Sequence, residues 1–506
     1  MKLIRKFGHG EKVFLTLALT IPLTVRMVPE ILSWPYPIGF DTLTYIPVTL
    51  KTNFLTMNPA LLLKGTRLFY VIASAVNVLV KDQILEMKLL GPALFTLLAF
   101  TLYIYSRRVL DWSPWKALCL NILASTYFVS LRISWEMYRQ MLGTILLFTT
   151  LILLKGKYDY KRLSAIVASS LLTVWAHELT AVILITLTIL HLVADHERQK
   201  IYLLIPTLSA TALFMYQLYD PVKGIIQIPS NTIHATTQLE LFTYITGFII
   251  YMFAPLLPLI LAGVPLLKKI DILGWSITCI TFTYWPTVFP EQSPPIWFRF
   301  AIMLVYPITF ISVEGAARLW SSKKAVLDSF PLGKAVASTT IIINIIMSGY
   351  YIATPPENAL PYFGEWNNYK AFMQTSMLQN SVPVSDTPDV LAAIEWVEQN
   401  LDKTNTTLVL HEAIDNWAQI YIKDIKIVRV NEAPLDSPIR ENIENRLLQL
   451  TAKEKAEGKQ VYTIWWTKGK GWYGMPNLPE QFKQIKSFNN IAVYKYSETT
   501  RNVVKS

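Results

Sequence analysis

Eleven apolar runs, each close to the length of a membrane-crossing helix, fill the first 353 residues at 13–34, 88–106, 115–132, 140–154, 163–176, 179–194, 201–218, 240–265, 272–288, 299–317 and 335–353. At 1.5 Å of rise per residue, roughly 20 apolar residues cross the ~30 Å hydrocarbon core of a bilayer. The shorter runs require tilt or trimmed edges. In lipid every backbone polar group has to be satisfied within the chain, which leaves helices as the element for runs of this kind. Composition agrees: 52% hydrophobic and 16% charged residues over 506 positions are too apolar for an ordinary soluble protein. The segment 1–12 is basic and leads into the first run like a signal peptide. Arg26, Glu30 and the lack of a small-residue cleavage site mark that run as a retained first helix instead.

The stretch 59–80 carries Lys64 and Arg67 inside an apolar pattern and fits a helix lying on the membrane surface as well as a span. Charge decides between them. With 59–80 on the surface and the N-terminus inside, the cytoplasmic segments hold 19 basic residues: Lys2, Arg5, Lys6, Lys12, Arg107, Arg108, Lys116, Lys155, Lys157, Lys161, Arg162, Arg198, Lys200, Lys268, Lys269, Arg318, Lys323, Lys324 and Lys334. The external segments hold 8 over more chain. The positive-inside rule selects this arrangement. It puts the first loop (35–87), the turns at 132–139, 177–178, 219–239 and 287–298, and everything after 353 on one external face.

The net charge of +11 at first suggests nucleic acid. From Thr354 onward, however, 17 Lys+Arg stand against 18 Asp+Glu, so the remainder carries 29 against 17, or +12. The basicity belongs to the membrane part, where it sets topology, and nucleic-acid binding loses its support. The two cysteines, Cys119 and Cys279, both lie in apolar runs and define neither a disulfide framework nor a CxxC site.

Residues 354–506 have a different character. A Pro- and Asn-rich linker, TPPENALPYFGEWNN, precedes a helix that Ser385 to Thr387 can cap, with Val390, Leu391, Ile394, Val397 and Leu401 at helical spacing. Strand patterns follow at 406–412, 425–430, 461–466 and 491–496, with a charged helix from 439 to 457 ended by Gly458. Alternation of this kind predicts a small external α/β domain. Asn405-Thr406-Thr407 is an N-glycosylation sequon on the expected external side.

Ionisable residues at the external helix mouths are the candidates for chemistry, because charge in or beside a span is costly. They are Asp41 after Pro35-Tyr36-Pro37-Ile38-Gly39; Arg132, Glu136 and Arg139; the adjacent His177 and Glu178; and Glu291 and Arg299. Interfacial residues dressed by Trp and Tyr are the alternative for each. A rigid turn can aim the Asp41 carboxylate over the membrane surface, where it would serve as general base for a hydroxyl; the alternative is a turn-initiating loop acid. Arg132, Arg139 and Arg299 offer the planar donor fork that suits a phosphate, or else snorkel to the interface. Glu136 and Arg139, three apart, can also pair with each other on one helix face. His177 and Glu178 suit a phosphate or a metal, although one His with scattered carboxylates does not define a metal site.

The order of these features resembles the GT-C superfamily of membrane glycosyltransferases, especially the archaeal proteins similar to dolichyl-phosphate-mannose protein mannosyltransferases. The resemblance rests on an acid just after helix one, an external first loop with surface-lying helices, a helix ending in Tyr105-Ser106-Arg107-Arg108, the entry Tyr138-Arg139-Gln140-Met141-Leu142-Gly143, and the external C-terminal α/β domain. It implies a fold of about eleven transmembrane helices (1–353) followed by an extracytoplasmic α/β domain (354–506). The implied activity is transfer of a sugar from a polyprenyl (dolichyl) phosphate carrier to a lipid-linked glycan or protein, with the lipid bilayer as the setting. In that family the first-loop acid is catalytic or binds metal, which maps to Asp41, and external basic residues hold the lipid phosphate, which maps to Arg299. Departures exist. Asp41 is followed by Thr42 where protein O-mannosyltransferases have an Asp-Glu pair, which leaves open whether a divalent metal takes part, and Trp465-Trp466-Thr467-Lys468-Gly469 lacks the Asp and Tyr of the WWDYG motif of oligosaccharyltransferases. A catalytically silent scaffold of the same fold stays as an alternative. A transporter is disfavoured by the absence of two related halves.

Overall fold

The computed structural model describes residues 9–156, 158–194, 198–223, 225–227, 237–294, 296–321, 332–430, 443–467 and 478–497. Lys2, Arg5, Lys6, Lys157, Lys323 and Lys324 of the charge count, the start of the helix expected from 439, and Lys468 and Gly469 lie outside these residues.

All eleven apolar runs are helical. The chain forms α1 (His9–Leu32), α2 (Phe40–Lys51), α3 (Pro59–Leu63), α4 (Leu68–Val80), α5 (Gln83–Arg108), α6 (Pro114–Thr126), α7 (Phe128–Glu136), α8 (Tyr138–Leu154), α9 (Tyr160–Ala176), α10 (Glu178–Ala194) and α11 (Leu204–Leu218). After a two-residue hairpin, β1 (Tyr219–Asp220) and β2 (Ile225–Ile226), come α12 (Gln238–Phe253), α13 (Leu257–Gly263), α14 (Ile270–Val288), α15 (Trp297–Met303), α16 (Val305–Ser321) and α17 (Leu332–Ala353). Among the described residues, six helical stretches are long and apolar enough to cross a membrane, or seven if the pair α6–α7, bent by 64°, is one span. α8 and α10 are apolar but shorter. The stretch 59–80 is two short helices, α3 and α4, broken around Gly65, and α4 packs on α2, α5, α8 and α9.

Side-chain caps fix several helix starts. Asp82 accepts from the Ile84 and Leu85 N–H groups at α5, Ser113 from Lys116 N–H at α6, and Asp159 from Arg162 N–H at α9. Basic residues expected on the inner side meet at one end of the bundle: Arg107 pairs with Glu11 at 2.7 Å, Lys155 with Asp111 at 2.7 Å, and Lys116 with Glu314. The opposite ends of the helices carry α2, the His177 turn and the start of α15.

The stretch 354–368, expected to form a linker, is instead packed, as is the chain that follows it to 383. Phe363, Phe372, Met373 and Met377 are buried, the Phe363 ring lies 5.2 Å from that of Phe128, and Met377 N–H donates to Tyr351 O. Aromatic side chains in a Pro-rich segment bury against helix ends more readily than they stay in water.

The C-terminal part contains α18 (Thr387–Asn400), β3 (Thr406–His411), α19 (Glu412–Tyr421), β4 (Lys426–Val430), α20 (Ile443–Ala456), β5 (Gln460–Trp466), β6 (Phe482–Phe488) and β7 (Ile491–Tyr496). Its sheet runs β4-β3-β5-β7-β6, with β3 parallel to both neighbours and the other pairs antiparallel. The four expected strands are present; β6 and α19 are additional. The N-cap of α18 falls within the expected Ser385 to Thr387, at Asp386, although its side chain makes no cap bond. In the sequon the Thr407 hydroxyl donates to Glu454 inside the fold. α19 packs directly on α2, and one continuous apolar core runs from the membrane helices into the sheet.

Candidate active site

The turn Pro35–Gly39 ends with Gly39 at φ 95°, and a Cβ there would sit 2.2 Å from the carbonyl oxygen of Trp135, so only glycine lets the turn rest on the end of α7. α2 begins at once, which places Asp41 in the first turn of a helix and not in a loop. The unpaired N–H groups of that turn have a partner from another element: Phe40 and Asp41 both donate to Glu136 Oε2, at 3.0 and 3.3 Å. Tyr45 Oη donates to the Glu136 carbonyl at 3.0 Å. Glu136 in turn pairs with Arg132 at 2.6 Å, both almost fully shielded from solvent. The pairing of Glu136 with Arg139 is not formed. Met137, at φ −88° and ψ 56°, interrupts the helix between them, and Arg139 turns to Glu178 at 3.5 Å.

Asp41, Thr44 and Tyr45 of α2, Tyr70 of α4, Met137, Arg139 and Gln140 at the α7–α8 junction, His177, and Arg299 of α15 line one cavity of about 230 Å³. Asp41 Oδ2 accepts from Arg299 Nη2 at 3.1 Å. His177 is held in the α9–α10 turn, where Gly143 lets α8 approach: a Cβ on Gly143 would meet Thr180 Oγ1 at 2.4 Å. Its Nδ1 accepts the Leu179 N–H at 3.3 Å, which assigns the ring proton to Nε2, 3.7 Å from Glu178 Oε1. Burial pushes the His177 imidazole down to about 4, so it is neutral near pH 7. Two guanidinium charges, Arg139 and Arg299, therefore face the two carboxylates Asp41 and Glu178. Arg139 Nε, Arg299 Nε and both amide atoms of Gln140 are buried without a hydrogen-bond partner among the described residues.

Behind the cavity lies a buried charge network. Glu30 binds Arg26 at 2.9 Å and Lys88 at 3.0 Å, and all three side chains are at most 3% exposed. Lys88 Nζ also donates to Tyr36 O at 2.6 Å, and Arg26 to Ser134 O and Tyr138 Oη. The network thus holds the turn that carries Asp41 and the helix junction that carries Arg139.

No family model and no curated protein matches the chain. Among solved structures the chain is similar to the arabinofuranosyltransferase AftD from Mycobacteria, at 11% identity and a TM-score of 0.49, over 96% of this chain. The chain spans 40% of that protein's length. By its name that protein is a glycosyltransferase, the class that the sequence resembles, and a match at this identity and TM-score assigns neither activity nor substrate to this chain.

Of the sequence candidates, Asp41, Arg139, His177 and Arg299 meet in the cavity. Glu178 adjoins it through Arg139 and His177, and also accepts from Thr66 Oγ1 at 3.3 Å. Arg132 and Glu136 stand one layer behind; Arg132 Nε donates to Phe372 O at 2.9 Å. Glu291 is exposed in the turn Pro290–Gln292 and does not line the cavity. Thr44, Tyr45, Tyr70 and Gln140 are lining residues that sequence reasoning missed. For Gln140 a signal existed, a lone amide at the head of an apolar run. Among the described residues no group of three or more His, Cys, Asp or Glu is arranged to hold a metal ion. The C-terminal part also reaches the cavity wall: Asn416 Nδ2 donates to Thr44 Oγ1 at 3.0 Å, and Arg429 holds Asn416 Oδ1 at 2.6 Å.

Proposed function

We propose that the chain is a membrane glycosyltransferase that moves a sugar from a polyprenyl-phosphate carrier to an acceptor hydroxyl of a lipid-linked glycan or a protein at this cavity. The basic-residue count favours placing the cavity on the extracytoplasmic face with the N-terminus inside. The observation that carries the reading is the Asp41–Arg299 pair at 3.1 Å in a cavity that also holds Arg139. A carboxylate paired with a guanidinium beside a second guanidinium is the equipment for removing a proton at one point and stabilising a leaving phosphate at the next.

In this mechanism the acceptor oxygen attacks the anomeric carbon as the bond from that carbon to the phosphate oxygen breaks. Asp41 takes the hydroxyl proton, and the electron pair of the broken bond stays on the phosphate. Charge moves in a closed loop: the phosphate gains one negative charge as Asp41 loses its own. Neutral Asp41 then competes less for Arg299, and the guanidinium is released to the leaving group as its charge grows. Neutral His177 adds a hydrogen bond without adding charge. A volume of about 230 Å³ is below the range of roughly 300–1,000 Å³ common for drug-sized ligands, so it suits a sugar headgroup with its phosphate while the lipid tail stays outside.

The test is transfer from labelled polyprenyl-phosphate sugars in membranes. Asp41→Asn is expected to lower transfer by roughly 10²–10⁴-fold with donor binding little changed, whereas Arg299→Ala weakens donor binding. Full activity of Asp41→Asn in an assay where the parent is active refutes the assignment.

A further inference from the structure

Gln140 is fully buried, lines the cavity, and among the described residues uses neither its amide nitrogen nor its amide oxygen. Buried side-chain polar atoms are nearly always paired, so an amide that leaves both its donor and its acceptor idle calls for an explanation. Its position supplies no local task. As the third residue of α8, a Gln can reach back to cap the backbone N–H at the helix entrance, but the Met137 N–H is already taken by Ile133 O at 2.9 Å. The ion pairs around it are complete without it: Arg139 holds Glu178, and Arg299 holds Asp41.

The chemistry of an amide indicates what it faces. It presents N–H donors and a carbonyl acceptor side by side. A phosphate offers only acceptors and would be repelled by the carbonyl, and the nearby guanidinium Nε atoms of Arg139 and Arg299 are the better anion donors. Two neighbouring ring hydroxyls match an amide on both counts, one oxygen accepting from N–H while the other hydroxyl donates to C=O.

We infer that Gln140 is a specificity-determining residue that reads an adjacent pair of hydroxyls on the transferred sugar, leaving the phosphate to Arg139 and Arg299. This rests on the transfer reading above and refines it: the favoured donors carry vicinal hydroxyls, and loss of either one is penalised.

The experiment measures kcat/KM for the full chain in lipid nanodiscs with an accepted polyprenyl-phosphate sugar and with its monodeoxy analogues. The parent is compared with Gln140→Met, which keeps length and shape, and with Gln140→Glu, which keeps the acceptor and removes the donor. Sites built to hydrogen-bond a hydroxyl reject the deoxy analogue strongly, by up to roughly 10⁴–10⁵-fold. The parent is expected to discriminate at least tenfold against deoxygenation at two adjacent positions. Gln140→Met is expected to bring those two ratios to within about threefold of unity and leave ratios at other positions alone, whereas Gln140→Glu restores discrimination at the position that donates to the carbonyl. An active parent whose ratios do not move in Gln140→Met, or move equally at every position, overturns the role of Gln140 and leaves the transfer reading standing. A parent that transfers from none of the polyprenyl-phosphate sugars overturns both.

Discussion

Replacing Glu30 with Gln removes the only anion from a buried cluster that holds two cations. Arg26 and Lys88 contact Glu30 at 2.9 and 3.0 Å, with side-chain exposures of 0% and 3%, so neither cation gains water when the carboxylate is lost. Breaking a buried pair by removing one partner costs about 3–5 kcal/mol, because a charge stays behind unpaired. Lys88→Met acts differently. It leaves the Arg26–Glu30 pair intact and neutral, and of the two carbonyls that lose the ammonium, Glu30 O and Tyr36 O, one keeps the single Ser33 hydroxyl proton, which lies within reach of both at 3.2 and 2.9 Å. The lost hydrogen bonds amount to about 1–3 kcal/mol. The double variant Glu30→Gln/Lys88→Met is expected to be less destabilised than Glu30→Gln alone, since it removes the second stranded cation. Thermal unfolding of the full chain in nanodiscs, followed by tryptophan fluorescence at one scan rate, gives the order of midpoints. The expected order, highest first, is parent, Lys88→Met, double variant, Glu30→Gln. If Glu30→Gln is no worse than Lys88→Met, or the two effects simply add, the network is not held together by the central carboxylate.

Three further outcomes follow from the geometry. His177 has its folded-state value depressed from 6.5 to about 4, so the unfolded chain binds the proton first; stability is expected to fall by about 1.4 kcal/mol per pH unit as pH drops from about 6.5 to about 4, and a His177→Gln variant followed by the same unfolding assay should lose that slope. Gly39→Ala combines a positive φ, worth about 1–3 kcal/mol of strain, with a backbone oxygen 2.2 Å from the new Cβ, so it is expected to lower both the unfolding midpoint and transfer activity, whereas Gly458→Ala, with open space around it, costs only its strain. Reporters placed after Ser506 and near Lys161 are expected on opposite sides of the membrane, outside and inside respectively; the same side for both refutes the charge-based topology.

Hydrophobic runs were enough to locate the helices, because in lipid an apolar run has no alternative to helix. They did not reveal where helices break. The run 115–132 reads as one span, yet the chain turns by 64° at Tyr127 and buries all nine residues of α7, and the cause is long-range: Trp135 Nε1 donates to Gln379 O at 2.9 Å and Arg132 Nε to Phe372 O, partners about 240 residues away. In the C-terminal part β6 escaped notice for a related reason. Its segment FKQIKSF is an edge strand, mostly exposed, and carries little hydrophobic alternation.

The candidate site divides along the same line. Asp41, Arg139, His177 and Arg299 stood out because a charged or titratable group beside an apolar run needs a reason, and the structure brings those four to one cavity. The roles of Glu136 and Gln140 were not legible, since each depends on what the other elements leave undone. Glu136 is a carboxylate committed to the N–H groups of α2 and to Arg132, so it fixes the position of Asp41 without being free for chemistry itself. Gln140 is the converse, an amide that the fold surrounds and does not use. A helix break at Met137 produces both results at once: it ends α7 so that Glu136 points back to α2, and starts α8 so that Arg139 and Gln140 turn into the cavity. The backbone at one residue thereby separates a structural carboxylate from groups that line the cavity.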